Sequence, residues 1–277
     1  MTYNELCHRL SPLYGDHEAR AIVRLVLEEG FGLTSTDVYM GKVSQLSADS
    51  LLKLEEFMQR LEKSEPVQYV LGQADFCGRT FSVRPGVLIP RPETQLLLPM
   101  VPRGFTGPFS VLDIGTGSGC IAITAALDNP QAQVTAWDVS PQALLVAAEN
   151  GQRLGAQVSW CQQDVLHAPD DHQLWDVIVS NPPYICERER GDMAANVLDY
   201  EPALALFVPD AHPLLFYHAI GRYARHALRP GGRLCLEINP HYADELAQWL
   251  GDSGFTVNQA DDQYGRRRFI QATLCDR

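Results

Sequence analysis

Between residues 109 and 127 the chain passes from a short apolar run (109–114) through Gly115-Thr116-Gly117-Ser118-Gly119 into an apolar, helix-like stretch (120–127). Glycine at every second position lets the backbone turn sharply and approach a ligand closely, so this reads as a strand, a tight loop and a helix in order. The rest of the C-terminal half repeats the alternation. Strands are expected at 133–137, 158–161, 175–180 and 233–238, and helices at 141–154, 214–228 and 242–250. Pro141 suits a first helical turn, and Arg229-Pro230-Gly231-Gly232 ends the 214–228 segment. Alternation of this kind predicts an α/β fold with a mostly parallel sheet covered on both faces. The last two runs, 255–259 and 269–274, have no helix-length gap between them and predict an antiparallel edge pair.

The N-terminal part has a different pattern. Residues 1–75 read as a small all-helical domain. Ala19, Ile22, Val23, Val26 and Leu27 share one helical face, and Leu51, Leu54, Phe57, Met58 and Leu61 share another behind a cap at 47–50. A docking domain for a large substrate and a purely structural bundle both suit it. Residues 76–83 alternate around Gly78 as a hairpin would, and Pro85-Gly86-Val87-Leu88-Ile89-Pro90-Arg91-Pro92-Glu93-Thr94 follows as a stiff, irregular segment. Three parts are therefore expected: 1–75 helical, 76–92 hairpin and linker, and 93–277 the sheet domain, whose least structured stretch is 185–212. Arg91, held between prolines, is placed either to reach a partner or to form a surface ion pair.

Composition narrows the function classes. The net charge of −12 argues against broad nucleic-acid binding, which rests on Lys and Arg contacts to phosphate, although Arg266-Arg267-Arg268 is a local basic candidate. Seven scattered cysteines, odd in number and without a C-x-x-C pair, favour reduced thiols over a disulfide framework or a metal site. No apolar run is long enough to span a bilayer, and the first residues lack the pattern of a secretory signal, so a cytoplasmic location without membrane contact is expected.

The chemistry-bearing residues cluster at strand ends. Asp113 precedes the first glycine, where a carboxylate suits a ligand bearing positive charge, and no Walker lysine follows. Asp138 ends the second strand and is placed for ribose hydroxyls. Asp164 follows the third strand, where it could face an adenine amine or cap a helix. A cationic ligand with a ribose and an adenine, bound without phosphates, is S-adenosylmethionine; a nucleotide fold with another cofactor is the alternative. After the strand 175–180 comes Asn181-Pro182-Pro183-Tyr184. Two prolines forbid regular structure and leave free carbonyls, and the asparagine adds a further acceptor beside an aromatic ring. Such a loop fits a planar group carrying N–H donors, an amide or an adenine N6 amine; a plain strand-ending turn is the bland reading.

The glycine loop, the acidic residue ending the next strand and N-P-P-Y after the fourth strand together resemble the amino-methylating branch of the Rossmann-like class I methyltransferases. With the preceding helical domain, the Ile89-Pro90-Arg91-Pro92-Glu93-Thr94 segment and Tyr200-Glu201-Pro202, the chain resembles the peptide chain release factor N5-glutamine methyltransferases (the PrmC/HemK family). The resemblance implies transfer of a methyl group from S-adenosylmethionine to the glutamine of a Gly-Gly-Gln loop in class 1 release factors. It also implies that Asp113, Gly115, Thr116, Gly117, Ser118, Gly119, Asp138, Asp164, Val165 and Asn181 hold the cofactor. Asn181, Pro182, Pro183, Tyr184 and Arg91 would bind substrate, with Asn181, Pro182 and Tyr184 catalytic. Tyr184 would stack on the planar amide. Adenine-N6 methylation of DNA or RNA is the alternative that the same four residues leave open.

Overall fold

The structure, a computed structural model, describes residues 1–101 and 105–275. Residues 276 and 277, the end of the span expected for the sheet domain, lie outside the described residues. The chain forms two compact units. The first comprises Met1–Gln73 together with Met193–Tyr200, and the second comprises Ala74–Asp192 and the chain from Glu201 on.

The first unit is helical. Helix α1 (Tyr3–Phe31) starts at a capping box between Thr2 and Glu5 and is really two helices, broken at Gly15, where φ is 74° and ψ is 163°. Helix α2 (Ser35–Tyr39) is capped by Thr34 and Asp37, α3 (Ala48–Leu61) by Ser47, and α4 (Val67–Leu71) ends at Gly72. The expected apolar faces meet in one core that includes Leu6, Leu10, Val23, Leu27, Leu54, Met58 and Leu61. Arg9 crosses from α1 to Glu55 and Glu62, at 2.7 Å each. The short helix Ala195–Tyr200 also belongs to this unit, and the Tyr200 hydroxyl donates to the Lys63 carbonyl at 2.7 Å.

The second unit opens with a hairpin of β1 (Gln73–Phe76) and β2 (Arg79–Ser82), then a 3-10 helix, Glu93–Met100. Pro99 lies within this segment and lacks an N–H donor. The remaining elements are β3 (Phe109–Ile114), α5 (Cys120–Asp128), β4 (Ala132–Asp138), α6 (Pro141–Leu154), β5 (Val158–Gln162) and β6 (Trp175–Ser180). They continue with β7 (Ile185–Cys186), α7 (the Ala195–Tyr200 helix above), β8 (Phe207–Val208), α8 (Leu215–Ala227), β9 (Leu228–Glu237), α9 (Ala243–Asp252), β10 (Phe255–Asp261) and β11 (Arg267–Leu274).

Seven strands form one sheet in the order β10-β11-β9-β6-β3-β4-β5. From β9 to β5 all pairs are parallel, and β11 and β10 complete the edge antiparallel, as the short gap between them predicts. One face of the sheet buries Leu112, Ile178 and Leu236 beneath α8 and α9. The other buries Val111, Val177 and Val179 beneath α5 and the 93–100 helix.

Two segments differ from the sequence reading. Strand β9 begins at Leu228, not near 233, because Arg229-Pro230-Gly231-Gly232 forms an irregularity inside the strand rather than a loop before it. Gly232 fits there only without a side chain, since a Cβ would lie 2.8 Å from the Arg229 carbonyl oxygen. The 185–212 stretch is not structureless: β7 and β8 pair in parallel across it, with 3-10 turns between.

Candidate active site

The strand order fixes where a ligand can bind. From β3 the chain moves outward to β4 and β5, then returns to β6 on the other side of β3. The helices that follow β3 and β6 cover opposite faces, so a crevice opens at the carboxyl ends of these two strands. The glycine loop leaves β3 there and Asn181 leaves β6 there. The Ser180 hydroxyl donates to the Ile114 carbonyl at 2.7 Å and ties the two exits together.

The glycine loop holds its shape by bonds that the motif does not reveal. Gly115 and Thr116 N–H groups both donate to the Trp137 carbonyl, at 2.9 and 3.0 Å. Gly119, at φ 83°, enters α5 where a Cβ would meet Ile123 Cδ1 at 2.9 Å and Ala147 Cβ at 3.1 Å. The Asp113 carboxylate is fully buried beneath the loop. Its Oδ2 accepts from the Thr116 hydroxyl at 2.7 Å and the Ala122 N–H at 3.2 Å, while Oδ1 has no partner. Burial pushes this carboxyl up to about 7, against those two hydrogen bonds, and the Asp138 charge adds to the rise.

Asp138 closes the loop from β4. Its Oδ2 accepts from the Gly117 N–H and its Oδ1 from the Ser140 N–H, each at 2.9 Å. Burial raises this carboxyl too, despite those two bonds. Each oxygen keeps a second lone pair for a ligand hydroxyl. Asp164 accepts from the Leu166 N–H at 2.9 Å, the capping role, and from His167 Nδ1 at 2.9 Å. Desolvation opposes its ionisation, but the His167 and Leu166 bonds outweigh that and lower it.

A cleft of about 270 Å³ brings Gly115, Gly117, Asp138, Asp164, Val165, Asn181, Pro182 and Pro183 to one surface. Gly86, Val87, Leu88, Gln142, Leu204, Phe216 and Ile220 are among its other wall residues, and the sequence assigns none of them a role. Among the lining residues there are two aspartates and no Lys, Arg or His. A phosphate-bearing ligand has nothing to neutralise it there, whereas a cationic, hydroxyl-bearing one is matched.

The other motif residues stand behind this surface. Asp113, Thr116, Ser118 and Gly119 shape the loop and do not line the cleft. Arg91 does not line it either. It pairs with Glu201 at 2.6 Å, and Glu201 also accepts from the Ile89 N–H at 3.1 Å. Two segments that do line the cleft, through Val87 and Leu88 and through Pro202 and Leu204, are joined by that carboxylate. Tyr184 lies outside the lining, with its ring packed on the core under α8 and α9. Its hydroxyl donates to Glu237 Oε1 at 3.2 Å and accepts from Arg268 at 3.4 Å. Burial and the neighbouring Glu237 charge raise this phenol well above its ordinary value. The hydroxyl end of Tyr184 is thus engaged behind the cleft lining.

Asn181 is held from one side only. Its Nδ2 donates to the Thr94 hydroxyl at 3.1 Å, and that hydroxyl donates to Glu237 Oε2 at 2.6 Å. Oδ1 has no partner among the described residues, and neither does the Pro182 carbonyl. Two unpartnered acceptors are thus left on adjacent residues that both line the cleft. Thr94 ends the 89–94 segment that carries the resemblance but has no role assigned to it there, and Glu237 belongs to no motif. The available signal for Glu237 was a single carboxylate closing the apolar run Leu234-Cys235-Leu236, and it is buried with 1% exposure.

Comparison with known proteins agrees with this geometry. The family model described as "Methyltransferase small domain" matches residues 91–201, and that described as "PrmC N-terminal domain" matches residues 3–72. A release factor glutamine methyltransferase of Bacteroides thetaiotaomicron is 45% identical, over 95% of this chain and 95% of its own length. One from Flavobacterium psychrophilum is 36% identical, over 96% of this chain and 95% of its own. Among solved structures, a methyltransferase from Pyrococcus furiosus shares the fold, with a TM-score of 0.55 at 19% identity, covering 73% of this chain and 91% of that one. With such identity along nearly its whole length, the chain belongs to the release factor glutamine methyltransferase family.

Proposed function

We propose that the protein transfers a methyl group from S-adenosylmethionine to the side-chain amide nitrogen of the glutamine in the Gly-Gly-Gln loop of class 1 peptide chain release factors. The products are N5-methylglutamine, S-adenosylhomocysteine and a proton. The observation that carries this reading is the pair of unpartnered acceptors, Asn181 Oδ1 and the Pro182 carbonyl, on a cleft shared with Gly115, Gly117 and Asp138.

The bound cofactor would supply a methyl group on a sulfonium sulfur, which leaves as a neutral thioether. Asp138 would take the ribose hydroxyls on the lone pairs that Gly117 and Ser140 leave free. Gly115 and Gly117 would let the cofactor approach the backbone, and Val165 and Val139 offer apolar walls for a flat base. The two carboxylates, Asp138 and Asp164, favour a positively charged ligand in the cleft.

The chain's own work on the substrate is positioning. An amide nitrogen is a weak nucleophile because its lone pair is delocalised into the carbonyl. Asn181 Oδ1 and the Pro182 carbonyl would each accept one N–H of the glutamine amide. Both contacts aim the nitrogen and raise its electron density, and the proton departs to solvent after the new N–C bond forms. Orientation and fixed dipoles of this kind can supply several kcal/mol of a displacement barrier. Pro183 keeps the segment extended, so that the two acceptors hold their spacing.

The test is methyl transfer from labelled S-adenosylmethionine to a purified class 1 release factor, beside its Gln→Ala loop variant and DNA and RNA oligonucleotides. Label on the unmodified release factor alone is expected. Equal labelling of the loop variant, or label on an oligonucleotide in its place, overturns the reading.

A further inference from the structure

Resting on that reading, we infer that Thr94 and Glu237 are positioning residues that set which end of the Asn181 amide faces the substrate. An asparagine side chain has two ends of nearly equal shape and opposite hydrogen-bonding sense. Only the oxygen end can accept an N–H from a glutamine amide. With the NH₂ end turned to the cleft, two donors would face each other and the substrate would be repelled.

The geometry removes this ambiguity in three steps. Glu237, at the end of β9, accepts from Thr94 Oγ1 at 2.6 Å and from the Tyr184 hydroxyl at 3.2 Å. A carboxylate only accepts, so the Thr94 hydroxyl proton is committed to Glu237. Thr94 then has only lone pairs to offer Asn181, so Asn181 must present Nδ2 to it, at 3.1 Å. Oδ1 is left for the cleft. Thr94 and Glu237 are 3% and 1% exposed, so water cannot readily substitute for either partner. Arg268 secures the far end through the Tyr184 hydroxyl at 3.4 Å. This gives the N-P-P-Y tyrosine a role behind the site: it helps to hold the carboxylate that orients the asparagine.

The assay compares wild type with Thr94→Val, Thr94→Ser and Glu237→Gln. Steady-state methylation of the release factor is read beside calorimetric affinity for S-adenosylhomocysteine. Thr94→Val keeps the shape and removes the hydroxyl. It is expected to lower kcat by roughly tenfold to a hundredfold, the scale of a misplaced contact. Affinity for S-adenosylhomocysteine should stay within about threefold, as for a site whose cofactor contacts are intact. Thr94→Ser restores the hydroxyl and should return kcat to within about threefold of wild type. Glu237→Gln introduces an N–H donor that lets the Thr94 hydroxyl reverse, and is expected to lower kcat by about tenfold or more. If Thr94→Val does not fold, Glu237→Gln and Thr94→Ser decide by the same thresholds. Folded Thr94→Val or Glu237→Gln with kcat within about threefold of wild type overturns the inference, as does a Thr94→Ser no better than Thr94→Val. In those outcomes wild type still methylates the release factor and the proposed function stands. Wild type that methylates no release factor overturns both.

Discussion

At the scale of single residues, the site separates groups that present acceptors from groups that shape the wall. Asn181 presents Oδ1 on the cleft, so Asn181→Ala is expected to lower methyl transfer by on the order of 10²–10³, the cost of one positioned hydrogen bond. S-adenosylhomocysteine affinity, measured by calorimetry, should remain within about tenfold. Asp138→Ala should behave in the opposite way. Its carboxylate organises the Gly117 and Ser140 N–H groups, so cofactor affinity is the main loss. Asp113 is a different case, because its folded-state carboxyl stands at about 7 against an ordinary 3.8. Below about pH 4 both folded and unfolded chains hold this proton. From there to about pH 7 the unfolded chain releases it and the folded one keeps it, so stability falls as pH rises and then levels off. Asp113→Asn does not titrate. Its stability relative to wild type should therefore improve by a few kcal/mol between about pH 4.5 and pH 7.5, because a one-proton difference between folded and unfolded chains is worth about 1.4 kcal/mol for each pH unit crossed. Urea midpoints of the cofactor-free proteins at those two values test it. An unchanged difference would mean that Asp113 is ionised in the folded protein throughout.

At the scale of elements, the glycine loop is held by its neighbours as much as by its own glycines. Asn150 on α6 accepts from the Ser82 N–H at 2.8 Å and donates to the carbonyls of Ser82 and Ser118, at 3.0 Å each. One buried amide thus joins β2, α6 and the loop. Asn150→Ala leaves three backbone groups without it, at ~1–3 kcal/mol for each group orphaned in the interior, so a loss of about 3 kcal/mol in urea unfolding is expected. A loss under about 1 kcal/mol would show that water takes its place. Local patterns are legible in the sequence. The spacing of Leu54, Phe57, Met58 and Leu61 is the buried face of α3, and Pro141 is the first residue of α6. Arg229-Pro230-Gly231-Gly232 is the opposite case: turn residues in a linear pattern form an irregularity inside β9, made possible by its pairing with β6.

At the scale of the whole molecule, the helical unit is assembled from two stretches of chain, Met1–Gln73 and Met193–Tyr200. The six residues of α7 are too few to be stable alone in water. Removal of residues 1–73 is therefore expected to leave the sheet folded while 193–200 becomes a site of rapid proteolysis. Limited digestion followed by mass spectrometry, beside circular dichroism, checks this; resistance of 193–200 in the shortened chain would show that α7 does not depend on the other helices. No helix among the described residues is long and apolar enough to cross a membrane.

The sequence alone determined the fold class, the alternation of the main strands and helices, the antiparallel edge and the location of the two loops that meet at the site. Each of these follows from local periodicity or from backbone chemistry that glycine and proline impose on their own neighbours. It also named Asn181, Pro182, Gly115, Gly117 and Asp138, all of which line one cleft. Only the tertiary structure decided what stands behind them. That Tyr184 faces Glu237 rather than the cleft, that Arg91 clasps Glu201, and that Thr94 holds Asn181 by its nitrogen depend on contacts across 53, 110 and 87 residues. A hydrogen bond between such distant positions leaves no periodic trace in a single sequence, because its two partners are brought together by the packing of the sheet and not by the residues beside them.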